Sequence, residues 1–278
     1  MNCAENLVLF ITIGETRKNE GMNFIDTHIH IDGEEFDEDR AEVIARAKSA
    51  GASAIMVPAV DEKSVQRIQM VCREYPGFAF PMIGLHPEEV DNDYGQVLDR
   101  MEQLMSDEYV AIGEVGLDFY WSREFETQQL EAFERQVQWA CQTQLPLMIH
   151  CRKAQNEMVA ILRRYKDSLP GGVFHCFTGN IQEARQLLDF DNFALGIGGV
   201  LTFKKSHLPE VVADIPISRI VLETDAPYMA PVPMRGKRNE SAFIPYMIEK
   251  LALCYGMSPE EVADATTCNA KRLFAKLQ

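Results

Sequence analysis

Short apolar runs alternate with amphipathic segments along most of the chain. The runs are rich in Val, Ile or Phe, as in strands that are buried on both faces of a parallel sheet. They span residues 23–28, 53–59, 78–84, 109–114, 145–150, 172–177, 193–198 and 218–223. Strands that each precede a helical pattern in this way predict an α/β protein, a closed (β/α)8 TIM barrel in a single domain.

The segments between the apolar runs have the patterns of amphipathic helices. In residues 125–141, apolar side chains recur at helical spacing with charged side chains between them. Residues 258–261, S-P-E-E, have the form of a helix start, with Ser258 as the N-cap and Glu261 completing a capping box. The alternative fold, an open doubly wound sheet, is disfavoured because H-I-D-G-E-E follows the first strand in place of a glycine-rich phosphate turn.

The N-terminal segment stands outside this alternation. Met22 immediately precedes the first strand, so residues 1–22 are either a translated upstream extension or an ordered cap, and the barrel is assigned to residues 23–278. Residues 7–13, L-V-L-F-I-T-I, are too short to cross a membrane and have no Lys or Arg before them. We therefore predict neither a membrane anchor nor a signal peptide.

Composition limits the location and the partners. Seven cysteines without a C-x-x-C pair are typical of buried thiols in a reducing compartment, which predicts a cytoplasmic protein. A net charge of -15 argues against tight, non-specific binding to long nucleic acid, because such binding depends on Lys and Arg neutralising phosphates. A phosphate substrate would therefore require a local positive site.

Polar residues gather at the strand ends. Five of the six histidines lie at or just beyond the C-terminal end of a predicted strand, namely His28, His30, His86, His150 and His175. The motifs G-E-V-G-L-D and E-T-D-A-P place Glu114, Glu223 and Asp225 at further strand ends. In a barrel these ends meet on one face, where active sites are built. Imidazoles and carboxylates at one point predict a divalent-metal site, with zinc, manganese or magnesium as candidate ions.

Each of these residues also has a structural interpretation. His86, in G-L-H-P, could serve only to hydrogen-bond a turn, and Glu114 could belong to a buried ion pair. Cys151 and Cys176 each follow a candidate histidine, but successive strand residues face opposite sides, so we expect both thiols to point into packing. The number of candidates on one face, more than any one of them, favours a metal centre.

Six motifs, in order, closely resemble those of the TatD family of metal-dependent deoxyribonucleases: H-I-H, G-L-H-P, G-E-V-G-L-D, I-H-C-R, H-C-F-T-G and E-T-D-A-P-Y-M-A-P. The resemblance runs from about Asn23 to the C-terminus. The family has a TIM-barrel fold and belongs to the metallo-dependent hydrolases, in agreement with the strand pattern. It implies a metal-dependent phosphodiester hydrolase that acts on DNA ends, as a 3'-5' exodeoxyribonuclease with single-stranded DNA ends as its substrate.

Carried over by position, the resemblance implies a site with two divalent metal ions. Its implied ligands are His28, His30 and Asp225 for one ion, His150 and His175 for the other, and Glu114 between them. Water activated by the two ions would attack the phosphodiester, with Glu114 and Asp225 as the catalytic carboxylates and Asp225 as the candidate general base. Glu223 is expected to orient a metal ligand or Arg152, with a structural ion pair as the alternative.

Positive side chains near this face are candidates for binding the substrate. His86, Arg152 and Arg235 are predicted to contact the phosphate, because guanidinium groups bind phosphate through paired hydrogen bonds. Lys237 and Arg238, in the same loop as Arg235, are interpreted as solvated. A patch of this kind would let an acidic protein bind a strand end without gripping a long duplex.

The aromatic run after G-L-D is a second candidate for substrate contact. Phe119, Tyr120 and Trp121 could form a wall on which an unpaired base stacks, with Tyr120 placed first among them. The same three residues could equally be packing within a loop.

A related metal centre can also hydrolyse an amide, lactone or ester. The alternative function is therefore an amidohydrolase or esterase, for example one that acts on mis-acylated tRNA. Many two-metal amidohydrolases bridge their ions with a modified lysine, whereas the corresponding strand here ends in Glu114, which favours the nuclease. A binding or scaffold protein is disfavoured because every candidate ligand is present.

Overall fold

A computed structural model describes residues 22–277, so the predicted extension at residues 1–22 lies outside the described residues except for Met22. Eight parallel strands form one sheet in chain order. They are β1 (Phe24–Asp26), β2 (Ala52–Pro58), β3 (Ala79–Ile83), β4 (Ala111–Asp118), β5 (Leu147–Arg152), β6 (Gly172–Phe174), β7 (Phe193–Ile197) and β8 (Ile220–Leu222). The predicted TIM barrel is confirmed.

Helices cover the outside of the sheet. Within residues 22–277 they are α1 (Arg40–Ser49), α2 (Glu62–Glu74), α3 (Tyr94–Gln103), α4 (Glu126–Thr143), α5 (Gln155–Arg164), α6 (Ile181–Leu188), α7 (Leu208–Ala213), α8 (Ile244–Tyr255) and α9 (Pro259–Leu273). The first seven each connect consecutive strands, and α9 packs against β1 and β8. The predicted helix at 125–141 corresponds to α4, and the predicted capping box of Ser258 and Glu261 starts α9.

The barrel closes between β1 and β8. The backbone N–H of Thr27 donates to the carbonyl of Leu222 at 3.0 Å, and the N–H of Asp225 donates to the carbonyl of His28 at 2.9 Å. Because these bonds continue beyond both strands, the seam extends to the C-terminal face of the barrel. This seam fixes the backbone of His28 and Asp225, two of the predicted metal ligands.

Apolar side chains fill the inside of the barrel. Each strand contributes to this layer, with Ile25, Met56, Met82, Ala111, Met148, Val173, Ala194 and Val221. Leu273, Phe274 and Leu277 join the same cluster from the C-terminal segment. A second, larger apolar layer lies between the strands and the helices. With the interior filled, polar side chains collect above it, at the C-terminal ends of the strands.

The fourth strand differs most from its prediction. The sequence pattern ended this strand at Glu114, whereas β4 continues to Asp118. Its pairing with β5 is irregular, since Ile112 lies opposite Leu147 and Val115 lies opposite Ile149. One extra residue of β4 is therefore accommodated as a bulge beside Glu114.

No helix within residues 22–277 is both long and apolar enough to span a bilayer. The six cysteines in that range are free thiols, and Cys72 is the one among them that is buried, whereas the cysteine pattern predicted buried thiols throughout.

Candidate metal centre

A cavity of about 780 Å³ opens at the C-terminal face of the barrel. The predicted ligands His30, Glu114, His150, His175 and Asp225 line it. The sixth predicted ligand, His28, is fully buried beside them. The structure therefore brings together the whole predicted ligand set from strands that are distant in the sequence.

Glu114 stands at the middle of this set. Its Oε2 lies 3.2 Å from Nε2 of His28 and 3.6 Å from Nε2 of His30. Its Oε1 lies 2.9 Å from Nε2 of His175 and 3.1 Å from Nδ1 of His150. The two carboxylate oxygens thus face two different pairs of imidazoles, one pair just beyond β1 and the other on β5 and just beyond β6.

The first donor set consists of His28, His30 and Asp225. Oδ1 of Asp225 lies 3.5 Å from Nε2 of His30 and 3.8 Å from Nε2 of His28. Between the two histidines, the N–H of Ile29 donates to the carbonyl of Met56 at 3.1 Å. This extended backbone directs both imidazoles to the same side, because alternate residues of a strand share a face.

The second donor set consists of His150 and His175, and His86 lies beside it. Nε2 of His86 is 3.3 Å from Oε1 of Glu114, while its Nδ1 accepts a hydrogen bond from the N–H of Glu88 at 3.1 Å. A neutral imidazole that accepts at Nδ1 carries its proton on Nε2. His86 can therefore donate to an anion but has no lone pair to offer a metal ion, which suits the predicted contact with phosphate.

Asp118 orients His150 and was missed in the sequence analysis. Its Oδ2 lies 2.8 Å from Nε2 of His150, and its Oδ1 accepts from the N–H of Tyr120 at 2.8 Å. This partner leaves Nδ1 of His150 directed at Glu114. The signal was present in G-E-V-G-L-D, where Asp118 follows Glu114, but the predicted strand stopped too early to include it.

Glu223 is fully buried behind His175. Its Oε1 lies 3.4 Å from Nδ1 of His175 and accepts a hydrogen bond from the N–H of Cys176. The guanidinium of Arg152 lies elsewhere, 3.6 Å from the ring centroid of Tyr120. Glu223 was expected to orient either a metal ligand or Arg152. The structure places it against the proposed ligand His175 and away from Arg152.

The centre combines carboxylates whose pKa is lowered with imidazoles whose pKa is raised, except that of His28, whose pKa burial lowers. Burial would raise the pKa of Glu114, but His175 and the other neighbouring histidines outweigh it and hold that pKa well below its usual range. The pKa of Asp225 is also lowered, because its contact with His30 outweighs burial. The pKa of His175 is raised well above its usual value against the effect of burial, owing to Glu114 and Glu223. The site therefore favours positive charge.

The donor set fits divalent metal ions. Ligand atoms lie within 4.8 Å of one another in three groups, namely His28, His30 and Asp225; His28, Glu114 and His175; and His86, Glu114 and His150. Imidazole and ionised carboxylate are groups that bind metal ions, and a bound ion displaces the protons that such a site otherwise attracts. Mixed nitrogen and oxygen donors of this kind suit zinc or manganese.

Two other basic residues lie away from the cavity lining. The guanidinium of Arg235 lies 4.1 Å from the ring centroid of Phe203, so its predicted contact with phosphate is not supported by this arrangement. Arg238, which we interpreted as solvated, remains partly exposed and also forms an ion pair with Asp39 at 2.6 Å. Arg152 does line the cavity, as its predicted role requires.

Both cysteines that follow a ligand differ from expectation. Cys151 and Cys176 are half-buried and border the cavity, whereas we expected them to point into packing. Burial raises the pKa of Cys151 to about 12 and also raises the pKa of Cys176, which keeps both thiols protonated. Neither thiol is assigned to the centre, because no cysteine sulfur belongs to the groups of close metal-ligand atoms found within residues 22–277.

The aromatic run divides into three environments. Phe119 is buried, with the guanidinium of Arg123 over its ring. Arg152 lies over both following rings, 3.6 Å from the centroid of Tyr120 and 5.3 Å from that of Trp121. Trp121 is the more exposed of the two, at 69% against 48%, and it lines the cavity, whereas Tyr120 does not. Trp121 therefore replaces Tyr120 as the first candidate for stacking with a base.

Comparison with known proteins adds four findings. Residues 25–275 match the family model described as TatD related DNase. The chain is 40% identical to the metal-dependent hydrolase YabD of Bacillus subtilis, over 90% of this chain and 98% of that protein. It is 36% identical to the 3'-5' ssDNA/RNA exonuclease TatD of Rahnella sp., over 89% of this chain and 96% of that protein. The crystal structure of YJJV, a TatD homolog from Escherichia coli, has a TM-score of 0.81 and 30% identity, covering 91% of this chain and 98% of that one.

Proposed function

Because the chain belongs to the TatD family of DNases, we propose that it is a metal-dependent exonuclease that removes nucleotides from single-stranded nucleic-acid ends in the 3'-to-5' direction. Relatives named 3'-5' ssDNA/RNA exonuclease support the substrate and the direction. The observation that carries the proposal is Glu114, whose two carboxylate oxygens face separate donor sets.

The proposed site would hold two divalent ions, with zinc, manganese and magnesium as the ions to test. His28, His30 and Asp225 would hold one ion, His150 and His175 would hold the other, and Glu114 would contribute to both. Divalent ions, when bound, polarise the phosphate and lower the pKa of the attacking water. The many imidazole donors favour zinc or manganese over magnesium.

Three side chains supply the remaining chemistry. The carboxylate of Asp225 is 15% exposed and lines the cavity, so it can accept the proton of the attacking water. Arg152 and the Nε2–H of His86 face the same cavity and can bind the phosphate oxygens. Asp118 and Glu223 keep the histidine ligands in place during this reaction.

The charge of the cavity favours binding of the end of a nucleic-acid strand over binding of its interior. Glu35, Glu88 and Glu89, in the loops after β1 and β3, line one side, whereas Arg152 lines the side of β5. A phosphate backbone that crossed the whole cavity would meet the acidic side chains. A strand that ends at the centre avoids them, which supports removal of terminal nucleotides.

We place this activity in the cytoplasm. The support is the set of six free thiols within residues 22–277, which suits a reducing compartment.

The proposal is tested by hydrolysis of 5'-labelled single-stranded DNA after chelation and after return of magnesium, manganese or zinc. We expect a metal-restored ladder that shortens from the 3' end and is lost in His150→Ala. The matched control is His207→Ala, because His207 is 91% exposed and lies outside the cavity lining. Absence of cleavage with every metal, together with turnover of dihydroorotate or an aryl ester, would instead establish the amidohydrolase or esterase alternative.

A further inference from the structure

We propose that Trp121 and Tyr228 bind unpaired bases of the substrate by stacking, so that the enzyme selects single-stranded ends through their bases as well as their phosphates. This inference rests on the proposed function. Trp121 is 69% exposed and Tyr228 is 57% exposed, and both line the cavity that contains the metal ligands. Large aromatic faces left open beside a reaction site are suited to binding a base, since every base has an aromatic face.

The two aromatic residues stand on opposite sides of the cavity mouth. Trp121 follows β4 and Tyr228 follows β8, and these strands are four positions apart in a sheet of eight. In a closed barrel that separation places the two loops across the axis from each other. A single-stranded nucleic acid that enters the cavity to reach Glu114 therefore passes between two aromatic side chains.

The loop that carries Trp121 is held in place by the metal centre. The rings of Tyr120 and Trp121 meet edge to face, with centroids 4.7 Å apart, and Arg152 lies over Tyr120. The N–H of Tyr120 donates to Asp118, the residue that orients His150. A base that stacks on Trp121 would thus meet a surface already fixed relative to the reacting phosphate, which reduces the entropic cost of binding.

Tyr228 is fixed from the other side of the centre. Its N–H donates to the carbonyl of Asp225 at 2.9 Å, and its carbonyl accepts from the side chain of the buried Asn239 at 2.7 Å. The backbone of Tyr228 is therefore bonded directly to a proposed metal ligand, whereas Trp121 is linked to the centre through its neighbour Tyr120 and Asp118.

The charge of the cavity makes such neutral contacts necessary. Among the described residues that line it, Arg152 is the one Lys or Arg side chain, while Asp32, Glu35, Glu88 and Glu89 are acidic. Binding through phosphate neutralisation depends on several Lys and Arg side chains and weakens steeply with salt. Stacking supplies affinity without them, so we expect binding that depends strongly on bases and only weakly on salt.

Intrinsic fluorescence gives a direct test of base contact. The chain has two tryptophans, and Trp139 is buried in α4 at 2% exposure, so Trp121 is the one open to quenching by a ligand. The zinc-loaded full chain is titrated with a short single-stranded oligonucleotide with phosphorothioate linkages, which slow hydrolysis. A second oligonucleotide has abasic sites at its 3'-terminal nucleotides. We expect quenching by the first, on the order of 10-fold weaker binding of the second, and no quenching in Trp121→Phe.

Kinetics separate stacking from a structural role. Trp121→Ala and Tyr228→Ala should each raise KM for single-stranded DNA on the order of 10-fold, with a smaller effect on kcat, because stacking acts in both the ground state and the transition state. Trp121→Phe and Tyr228→Phe should restore KM, and the alanine variants should match the wild type on the abasic substrate. The control is Leu253→Ala, whose side chain is 79% exposed on α8, outside the cavity lining.

The outcomes distinguish this inference from the proposed function. Hydrolysis by the wild type, with equal affinity for base-bearing and abasic strands, overturns the stacking role and leaves the nuclease intact. Base-dependent quenching without hydrolysis under any metal would support the stacking role and overturn the proposed nuclease activity. An equal rise in KM of the alanine variants on the base-bearing and the abasic substrate would also overturn the inference.

Discussion

Asparagine in place of Asp118 would test how the second donor set is held. In the native protein, Nε2 of His150 lies 2.8 Å from Oδ2 of Asp118, and the N–H of Tyr120 donates to Oδ1 at 2.8 Å. Asparagine has one oxygen and one NH₂ group where aspartate has two oxygens. It can accept one of these hydrogen bonds, and it turns its own N–H groups toward the other donor.

The consequence follows from the tautomer of His150. If the amide oxygen keeps the bond from Tyr120, Nε2 of His150 must become an acceptor and the ring proton moves to Nδ1. That nitrogen, 3.1 Å from Oε1 of Glu114, then has no lone pair for a metal ion. Loss of such an orienting partner costs about 10- to 100-fold in metal affinity or activity. This range corresponds to about 1.4 to 2.8 kcal/mol.

Two assays check the magnitude. Calorimetric titration of the chelated protein measures metal affinity, and hydrolysis of single-stranded DNA at saturating metal measures kcat. The control is Asp99→Asn in α3, because Asp99 is 64% exposed and pairs with Arg135 at the surface. Native metal affinity and native kcat in Asp118→Asn would refute the argument that this carboxylate sets the tautomer of His150.

Two further predictions concern stability. A Cβ at Gly113 would lie 2.4 Å from Cβ of Met148. Gly113→Ala should therefore lower the free energy of unfolding, measured in urea, by about 1 to 3 kcal/mol. The control is Gly95→Ala, which should not lower it, because no atom lies within 4 Å of the new Cβ. Equal stability of the two variants would contradict this. Burial raises the pKa of Asp26 from 3.8 to about 7 despite its hydrogen bonds, so its folded pKa lies above the unfolded one. Its stabilising contribution is therefore complete below pH 3.8 and is lost as the pH rises to about 7. Asp26→Asn should make the Tm of the chelated protein less dependent on pH over this range, and an unchanged slope would count against the shift.

The barrel could be predicted because strands buried on both faces leave strong apolar runs, and each predicted run overlaps an observed strand. The ends of the strands were harder to place. Residues 172–177 all look strand-like, yet β6 ends at Phe174 and Cys176 has a φ of 49°, which a strand cannot continue. In β4, pairing with β5 continues to Asp118 opposite Arg152, a contact between strands that no local pattern records.

The metal ligands could be predicted because they are polar residues at the ends of apolar strands, which a barrel gathers on one face. The residues around them could not, because they lie in loops whose direction depends on tertiary contacts. Arg235 follows Asp225 closely in the sequence, but its loop carries it to Phe203. Tyr228, three residues after Asp225, stays at the cavity because Asn239 holds its backbone.

The claim that Glu114 joins two donor sets is tested most directly by counting metal ions per chain after equilibrium dialysis. The wild type and Glu114→Ala are compared by elemental analysis, with hydrolysis of single-stranded DNA measured on the same samples. We expect two ions per chain in the active wild type, and loss of at least one ion together with hydrolysis in Glu114→Ala. An active wild type with one ion, or a Glu114→Ala variant that keeps two ions and full activity, would contradict this account.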